Sequence, residues 1–361
     1  VWAIPEGTVV FPNEPLITVR APIIQAQLLE TMLLLTTNHQ SLIATKTSRI
    51  VKEAQGRPVM EFGARRAHGI NAAVEGARAA IIGGAIGTSC TLSAKEFNVP
   101  ASGTMAHSWV QSFDSEYEAF KTYAEIYPDD CTLLIDTYNT IESGLPNAIK
   151  VFNEVLKPKG YKPKAVRLDS GDLAYLSKKV RKILDEAGYT ECKICATNSL
   201  DEYLIKSLIE QDAKIDSFGV GENLITAKSE PVFGGVYKLV GIEKDTKIIP
   251  KIKVSENVVK VTNPGFKKVY RFYDNESQKA IADVIALSDE IIDEREYMIF
   301  DPQNPWKKKL IKDYTIRELQ EKIFENGKLI YKSPTLEEIA KKSKKELNSI
   351  WEEVKLSLIH I

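Results

Sequence analysis

From about residue 57 to 240 the chain alternates short apolar runs with helical patterns, and this alternation limits its fold more than any other feature. Val59-Met-Glu-Phe precedes a helical pattern through Ala72 to Ile82, and Thr132-Leu-Leu-Ile precedes one near Asn147 to Leu156. Ala165-Val-Arg-Leu is followed by Leu176 to Ala187, Lys193-Ile-Cys-Ala by Tyr203 to Gln211, and Ser217-Phe-Gly-Val closes the series. Such units imply parallel strands joined by crossovers, and this many of them favour a closed or nearly closed α/β barrel. Barrels of this kind do their chemistry at the C-terminal ends of the strands. The polar clusters fall there: Glu61 to Arg66, Asp136 to Asn139, Arg167 to Asp172, Thr197 to Asn198, and Gly219 to Asn223.

Outside this stretch the text changes. Residues 1 to 22 are strand-like with turn signals, and Pro22 opens a helix at a position where proline is tolerated. The apolar run Ile23 to Leu35 is interrupted by Gln25, Gln27 and Glu30 and is too short for a membrane span, so it reads as a buried helix. After about 235 come Val-rich and Lys-rich strands (Val236 to Val240, Lys251 to Val261, Lys268 to Phe272), then charged helical text from Ile316 onward. The expected division is 1–20 in a smaller domain, 21–235 in the barrel, and 236–361 supplying return strands of the smaller domain and a C-terminal helical region.

With 43% apolar residues the chain can bury a large core, and 48 basic against 49 acidic residues point to neither a nucleic-acid nor a membrane partner. Anionic substrates then need local basic sites. The lysine runs at 307–309 and 341–345, with acids nearby, read as solvated surface. No secretory signal opens the sequence, which places the protein in the cytoplasm. Cys192 and Cys195 form a C-x-x-C inside a strand-like run with no second ligand pair, so they read as structural and no metal site is expected. The sequence starts within a strand, without Met, and ends uncapped; both ends read as cut.

Four segments carry possible chemistry. Arg167-Leu-Asp-Ser-Gly-Asp puts two acids and a serine around a glycine turn, suited to ribose hydroxyls or Mg²⁺-bound pyrophosphate. Arg167 faces opposite to Leu168 and needs either an anionic ligand or a salt bridge to Asp169 or Asp172. His107, among the small residues of Gly103-Thr-Met-Ala-His-Ser, has Asp136 as a candidate to hold its ring by hydrogen bonding; the other reading is a structural histidine. Phe62 beside Arg65 and Arg66 can stack a flat ring and bind an acid, or be core with surface arginines. Phe218-Gly-Val-Gly can cradle phosphate or merely make a tight βα turn.

Together, Glu61-Phe-Gly-Ala-Arg-Arg, Gly103-Thr-Met-Ala-His-Ser, Leu134-Ile-Asp-Thr-Tyr, Arg167-Leu-Asp-Ser-Gly-Asp, Thr197-Asn-Ser-Leu-Asp-Glu, Phe218-Gly-Val-Gly and Val232-Phe-Gly-Gly-Val-Tyr-Lys-Leu occur in an order that resembles the nicotinate phosphoribosyltransferase family. The resemblance implies a type II phosphoribosyltransferase fold: an irregular α/β barrel with a smaller open α/β sandwich built from both chain ends, usually in a homodimer. It implies synthesis of nicotinate mononucleotide from nicotinate and phosphoribosyl pyrophosphate, coupled to ATP with Mg²⁺, in NAD biosynthesis.

By the same resemblance His107 is the phosphorylated histidine and Asp136 its partner acid. Thr104 and Arg167 contact nicotinate, Phe62 stacks on the pyridine and Arg65 holds phosphate. Asp169 and Gly171 belong to the ribose and pyrophosphate site, Thr197 and Asn198 line the ribose phosphate, and Gly219 and Gly221 form the phosphate loop. Ser89 stands where nicotinamide-using relatives carry an aspartate, which favours nicotinate. The sequence departs from the family in three places: Glu222 follows the second loop glycine, an N-terminal segment with a Thr-Asp-x-Tyr motif is absent, and Leu356 to Ile361 leave the family pattern, so the sequence reads as a fragment. The competing expectations are a nicotinamide or quinolinate phosphoribosyltransferase and a non-catalytic binding remnant.

Overall fold

The computed structural model describes residues 1–254, 261–302 and 304–355. It divides into two units, residues 43–231 and the two flanking stretches 1–42 and 232–361. The helix Glu30–Glu53 begins in the flanking unit and ends in the central one.

The apolar runs of the central unit form its parallel strands: β1 (Val59–Glu61), β2 (Thr132–Leu134), β3 (Ala165–Leu168), β4 (Lys193–Ala196) and β5 (Ser217–Val220). The sheet order is β1-β5-β4-β3-β2, and parallel bridges from Glu61 to Thr88 and from Thr88 to Ala101 continue it beyond β1. The alternation thus gives the expected parallel α/β sheet, and its architecture is the irregular α/β barrel that the family resemblance implies. Leu133, Leu134, Val166, Leu168, Ile194, Phe218 and Val220 are completely buried, as continuous apolar strands covered on both faces must be.

Helices start at residues suited to capping. Asp172 accepts the Tyr175 N–H at 2.9 Å at the head of Leu173–Glu186, and Asp201 accepts the Leu204 N–H at 2.8 Å at the head of Glu202–Glu210. After β2, Asn139 accepts the N–H groups of Ile141 and Glu142 and starts a π-helical turn, Thr140–Gly144. Gly144 ends this turn against the chain leaving β2, where an added Cβ would stand 1.8 Å from the Ile135 carbonyl oxygen. The contact lies one residue before Asp136.

The flanking unit is built from both ends of the chain. Trp2–Ala3 pairs antiparallel with Ile17–Thr18 and with Glu321–Lys322, and Lys267–Asp274 pairs with Ala280–Leu287 and Tyr314–Glu318. Arg271 is fully buried and ties these parts together: it donates to Asp283 at 2.6 and 2.8 Å, to Glu346 at 3.1 Å and to the Val9 carbonyl at 2.7 Å. A buried guanidinium is tolerated because these acceptors satisfy it.

Three expectations are corrected here. The run Ile23 to Leu35 is helical but not buried: Ile23, Ile24, Leu28, Met32 and Leu35 are 56% to 78% exposed. Hydropathy records that a face is apolar, not which surface covers it. The charged text from Ile316 is strand before it is helix, with Tyr314–Glu318, Glu321–Lys322, Phe324–Glu325 and Lys328–Leu329 preceding Leu336–Ser349. Pairing of Ile316 with Phe272 overrides local propensity, and the capping box of Thr335 and Glu338 marks the real helix start. Finally, Val236 to Val240 is irregular, and the strands after it are Gly241–Lys244 and Lys247–Pro250. Residues 255–260 of the expected Lys251 to Val261 strand, and Leu356 to Ile361, lie outside the described residues.

Candidate active site

Arg167 is the centre of the polar cluster. Its neighbours in β3, Val166 and Leu168, are fully buried, and alternation turns Arg167 to the opposite face with a side chain 16% exposed. Its Nε donates to Thr197 Oγ1 at 2.9 Å, Nη1 to Thr104 Oγ1 at 2.7 Å and Nη2 to Asp169 Oδ1 at 3.0 Å. The guanidinium carbon lies 5.9 Å from the centre of the Phe62 ring. The salt bridge to Asp169 weighed from spacing is therefore present, while Asp172 is occupied as a helix cap. Two neutral hydroxyls and one carboxylate leave N–H capacity for a further anion.

Asp169 also accepts from the Thr197 hydroxyl, and its Oδ2 lies 3.4 Å from His107 Nε2. Burial pushes the Asp169 carboxyl up, but the Thr197 hydrogen bond, the Arg167 charge and His107 outweigh it and hold the group below the usual carboxylate range. Asp169 is thus an ionised acceptor. His107 opens the short helix His107–Gln111, with Nδ1 3.2 Å from Thr137 Oγ1 and a side chain 38% exposed. A carboxylate can only accept, so Nε2 carries a proton toward Asp169, and in the neutral ring the lone pair falls on Nδ1, beside the Thr137 hydroxyl.

Asp136 sits beside this pair but not in the hydrogen bond expected from sequence. Its Oδ1 is 3.9 Å from His107 Nε2, while Oδ2 accepts the Asp169 N–H at 2.9 Å and the Ser170 hydroxyl at 2.6 Å. Its side chain is fully enclosed, and Oδ1 has no hydrogen-bond partner among the described residues. Asp136 therefore shapes the turn that carries Asp169, which spacing alone could not distinguish from direct contact with the ring.

The glycines permit close approach. A Cβ at Gly219 would stand 2.5 Å from the Phe62 ring and 2.7 Å from Thr197 Cγ2, and one at Gly221 would stand 3.1 Å from the Phe62 carbonyl. Gly171 takes φ +77°, which its tight turn before the helix requires. Asn198 and Ser199 follow Thr197 with φ +87° and +51°, a strained pair at the end of β4. Glu61 is fully buried; its carboxylate accepts from Thr88 Oγ1 at 2.6 Å and from the Gly63 N–H, fixing the Phe62 loop, while burial raises its pKa. Glu222 turns outward, half exposed, 3.7 Å from Arg66 and 3.8 Å from Lys228.

His107, Asp136, Thr104, Arg167, Asp169, Thr197, Phe62 and Gly219 are thus brought together, whereas Arg65, Ser89 and Asn198 are exposed. Sequence reading missed Thr137, Ser170 and Glu61 as supports; each lies in a quoted motif, but its role depends on contacts across strands.

The same segments match known proteins. Residues 58–277 match the profile of the nicotinate phosphoribosyltransferase (NAPRTase) family and residues 266–358 that of the nicotinate phosphoribosyltransferase C-terminal domain. A nicotinate phosphoribosyltransferase of Bacillus subtilis is 47% identical over 355 residues, covering 98% of this chain and 72% of that protein. The chain belongs to the nicotinate phosphoribosyltransferase family. A Mycobacterium tuberculosis nicotinate phosphoribosyltransferase is also 47% identical, over 75% of the chain, which spans 56% of that protein's length. Among solved structures, human nicotinic acid phosphoribosyltransferase superposes with a TM-score of 0.84 at 25% identity over 98% of this chain and 77% of its own. Nicotinate-nucleotide pyrophosphorylase from Pyrococcus furiosus gives 0.75 at 27% identity over 96% and 80%. The type II phosphoribosyltransferase fold is common to these neighbours and this chain.

Proposed function

We propose that the protein forms nicotinate mononucleotide and pyrophosphate from nicotinate and phosphoribosyl pyrophosphate, in NAD biosynthesis, with ATP hydrolysis coupled through phosphorylation of His107. The observation that carries this reading is Arg167, held by Thr104, Thr197 and Asp169 under Phe62 and beside His107 in a family member. A guanidinium with spare N–H groups at the edge of an aromatic ring suits a flat substrate bearing a carboxylate.

In the reaction the pyridine nitrogen lone pair forms the bond to the anomeric carbon as the bond from that carbon to pyrophosphate breaks, and pyrophosphate leaves with the electron pair. Phe62 and Arg167 orient the pyridine; the loop with Gly219 and Gly221, with Thr197, Asn198 and Arg65, receives the phosphates; Asp169 and Gly171 border the ribose. Ser89 places no anion against the substrate carboxylate. Among the described residues no group of three or more His, Cys, Asp or Glu side chains is arranged to hold a metal. Mg²⁺ arriving with pyrophosphate or ATP would supply charge neutralisation, and the ionised, partly exposed Asp169 is the carboxylate that would help to hold it.

For His107 the geometry offers a nucleophile, the Nδ1 lone pair, with the opposite nitrogen fixed by Asp169. A phosphoryl group there adds charge and acceptor oxygens beside the pyrophosphate site, so its hydrolysis can drive product formation. The protein would work in the cytoplasm, where four unpaired cysteines persist; no described helix is long and apolar enough to cross a membrane.

The exposure of five large apolar side chains, Ile23, Ile24, Leu28, Met32 and Leu35, within one short stretch supports a homodimer, because apolar surface is costly to leave in water. Sedimentation should give twice the chain mass for the wild type and a monomer for the double variant Leu28→Glu, Leu35→Glu; a dimer unaffected by both changes would move the interface elsewhere. The reaction itself is tested by product formation from nicotinate against nicotinamide and quinolinate.

A further inference from the structure

One carboxylate serves two of the groups assigned above. Asp169 Oδ1 accepts from Arg167 Nη2 at 3.0 Å, and Oδ2 lies 3.4 Å from His107 Nε2. Thr104, three residues before His107, accepts from Arg167 Nη1 at 2.7 Å. These contacts close a ring from Arg167 through Asp169 and His107 and back along the loop to Thr104. The remaining donor of Arg167 in use, Nε, is held by Thr197, which also donates to Asp169. The guanidinium and the imidazole therefore share Asp169, which is the nearer of the two carboxylates beside His107 Nε2, Asp136 Oδ1 lying at 3.9 Å.

Resting on the nicotinate reading, we infer that Asp169 is a positioning residue that couples the pyridine pocket to His107, so that nicotinate binding at Arg167 depends on what His107 offers to Asp169. In the empty pocket Asp169 partly neutralises Arg167 and competes with a substrate carboxylate for it. The Nε2–H of His107 draws on the other oxygen of the same group, stabilises its charge and so lowers its hold on the guanidinium. Without that donor the full carboxylate charge falls on Arg167, and nicotinate binds more weakly. Linkage makes the effect reciprocal: nicotinate on Arg167 leaves Asp169 more available to His107. Asp136 supports the device indirectly, by fixing the Asp169 and Ser170 turn.

The test is a double-mutant cycle on nicotinate affinity by calorimetry, without ATP, in the wild type, His107→Ala, Asp169→Asn and the double variant. In Asp169→Asn the amide oxygen can still accept from Arg167 and Thr197, while the charge and the acceptor toward His107 are lost. We expect His107→Ala to weaken nicotinate binding by about threefold or more in the native background, in the range for residues in direct contact, and by less than about twofold once Asp169 is Asn. Equal effects of His107→Ala in both backgrounds would overturn the coupling and leave the functional reading standing. Absence of nicotinate binding to the wild type would overturn both. Should Asp169→Asn fail to fold, His107→Gln decides: its amide N–H can replace the lost donor, so it should recover affinity that His107→Ala loses, and no recovery would refute the inference.

Discussion

Replacing Arg167 with alanine should lower kcat/KM for nicotinate by about a hundredfold or more, the consequence of losing about 3 kcal/mol when one member of a largely enclosed, hydrogen-bonded charge pair at the substrate is truncated. Three effects add. The substrate carboxylate loses its cation, Asp169 is left without its principal counter-charge, and the Thr104 and Thr197 hydroxyls lose the donor that orders them. Lysine should not rescue the activity, since one ammonium cannot hold the three acceptors and the substrate in the planar fork. Discrimination against nicotinamide should fall together with activity, because the preference for a carboxylate rests on this charge. A variant that keeps wild-type kinetics for nicotinate would place the pyridine pocket elsewhere. Steady-state kinetics with both pyridines checks this.

The second large effect is on stability. Gly144→Ala would put a Cβ 1.8 Å from the Ile135 carbonyl oxygen, a contact that only backbone movement can relieve. Overpacking in a close-packed interior costs about 1–3 kcal/mol when side chains can give way. Here the obstacle is backbone, so the loss should reach or exceed the top of that range. In a unit of this size that corresponds to a fall in Tm on the order of 10 °C. Gly103→Ala is the control, since a Cβ there meets nothing within 4 Å; it should leave Tm nearly unchanged. Because Ile135 precedes Asp136, any Gly144→Ala protein that folds should also lose activity out of proportion to its fraction folded. A melting curve for Gly144→Ala that matches the wild type would contradict the packing described.

Much of the fold could be read from the sequence because its signals are local. Each β strand of the central unit is an apolar run that ends in a polar cluster. What stayed hidden depends on partners distant in the chain. Nothing in Ser143-Gly-Leu-Pro says that Gly144 lies on the Ile135 backbone, and nothing in Asp136-Thr-Tyr says which residue touches the His107 ring. Thr137 takes Nδ1 and Asp169 takes Nε2, while Asp136 acts one step removed. The helix near residues 23–35 shows the same limit in another form, since an apolar face looks alike in sequence whether its own chain or another molecule covers it.

The proposed synthesis of nicotinate mononucleotide couples to ATP through His107. Its most direct test is product formation from nicotinate and phosphoribosyl pyrophosphate, with and without ATP and Mg²⁺, for the wild type and His107→Ala, with nicotinamide and quinolinate in parallel. The account predicts product from nicotinate alone, a gain with ATP in the wild type, and no such gain in His107→Ala. Turnover of another pyridine in preference to nicotinate, or an ATP gain that survives loss of the histidine, would contradict it.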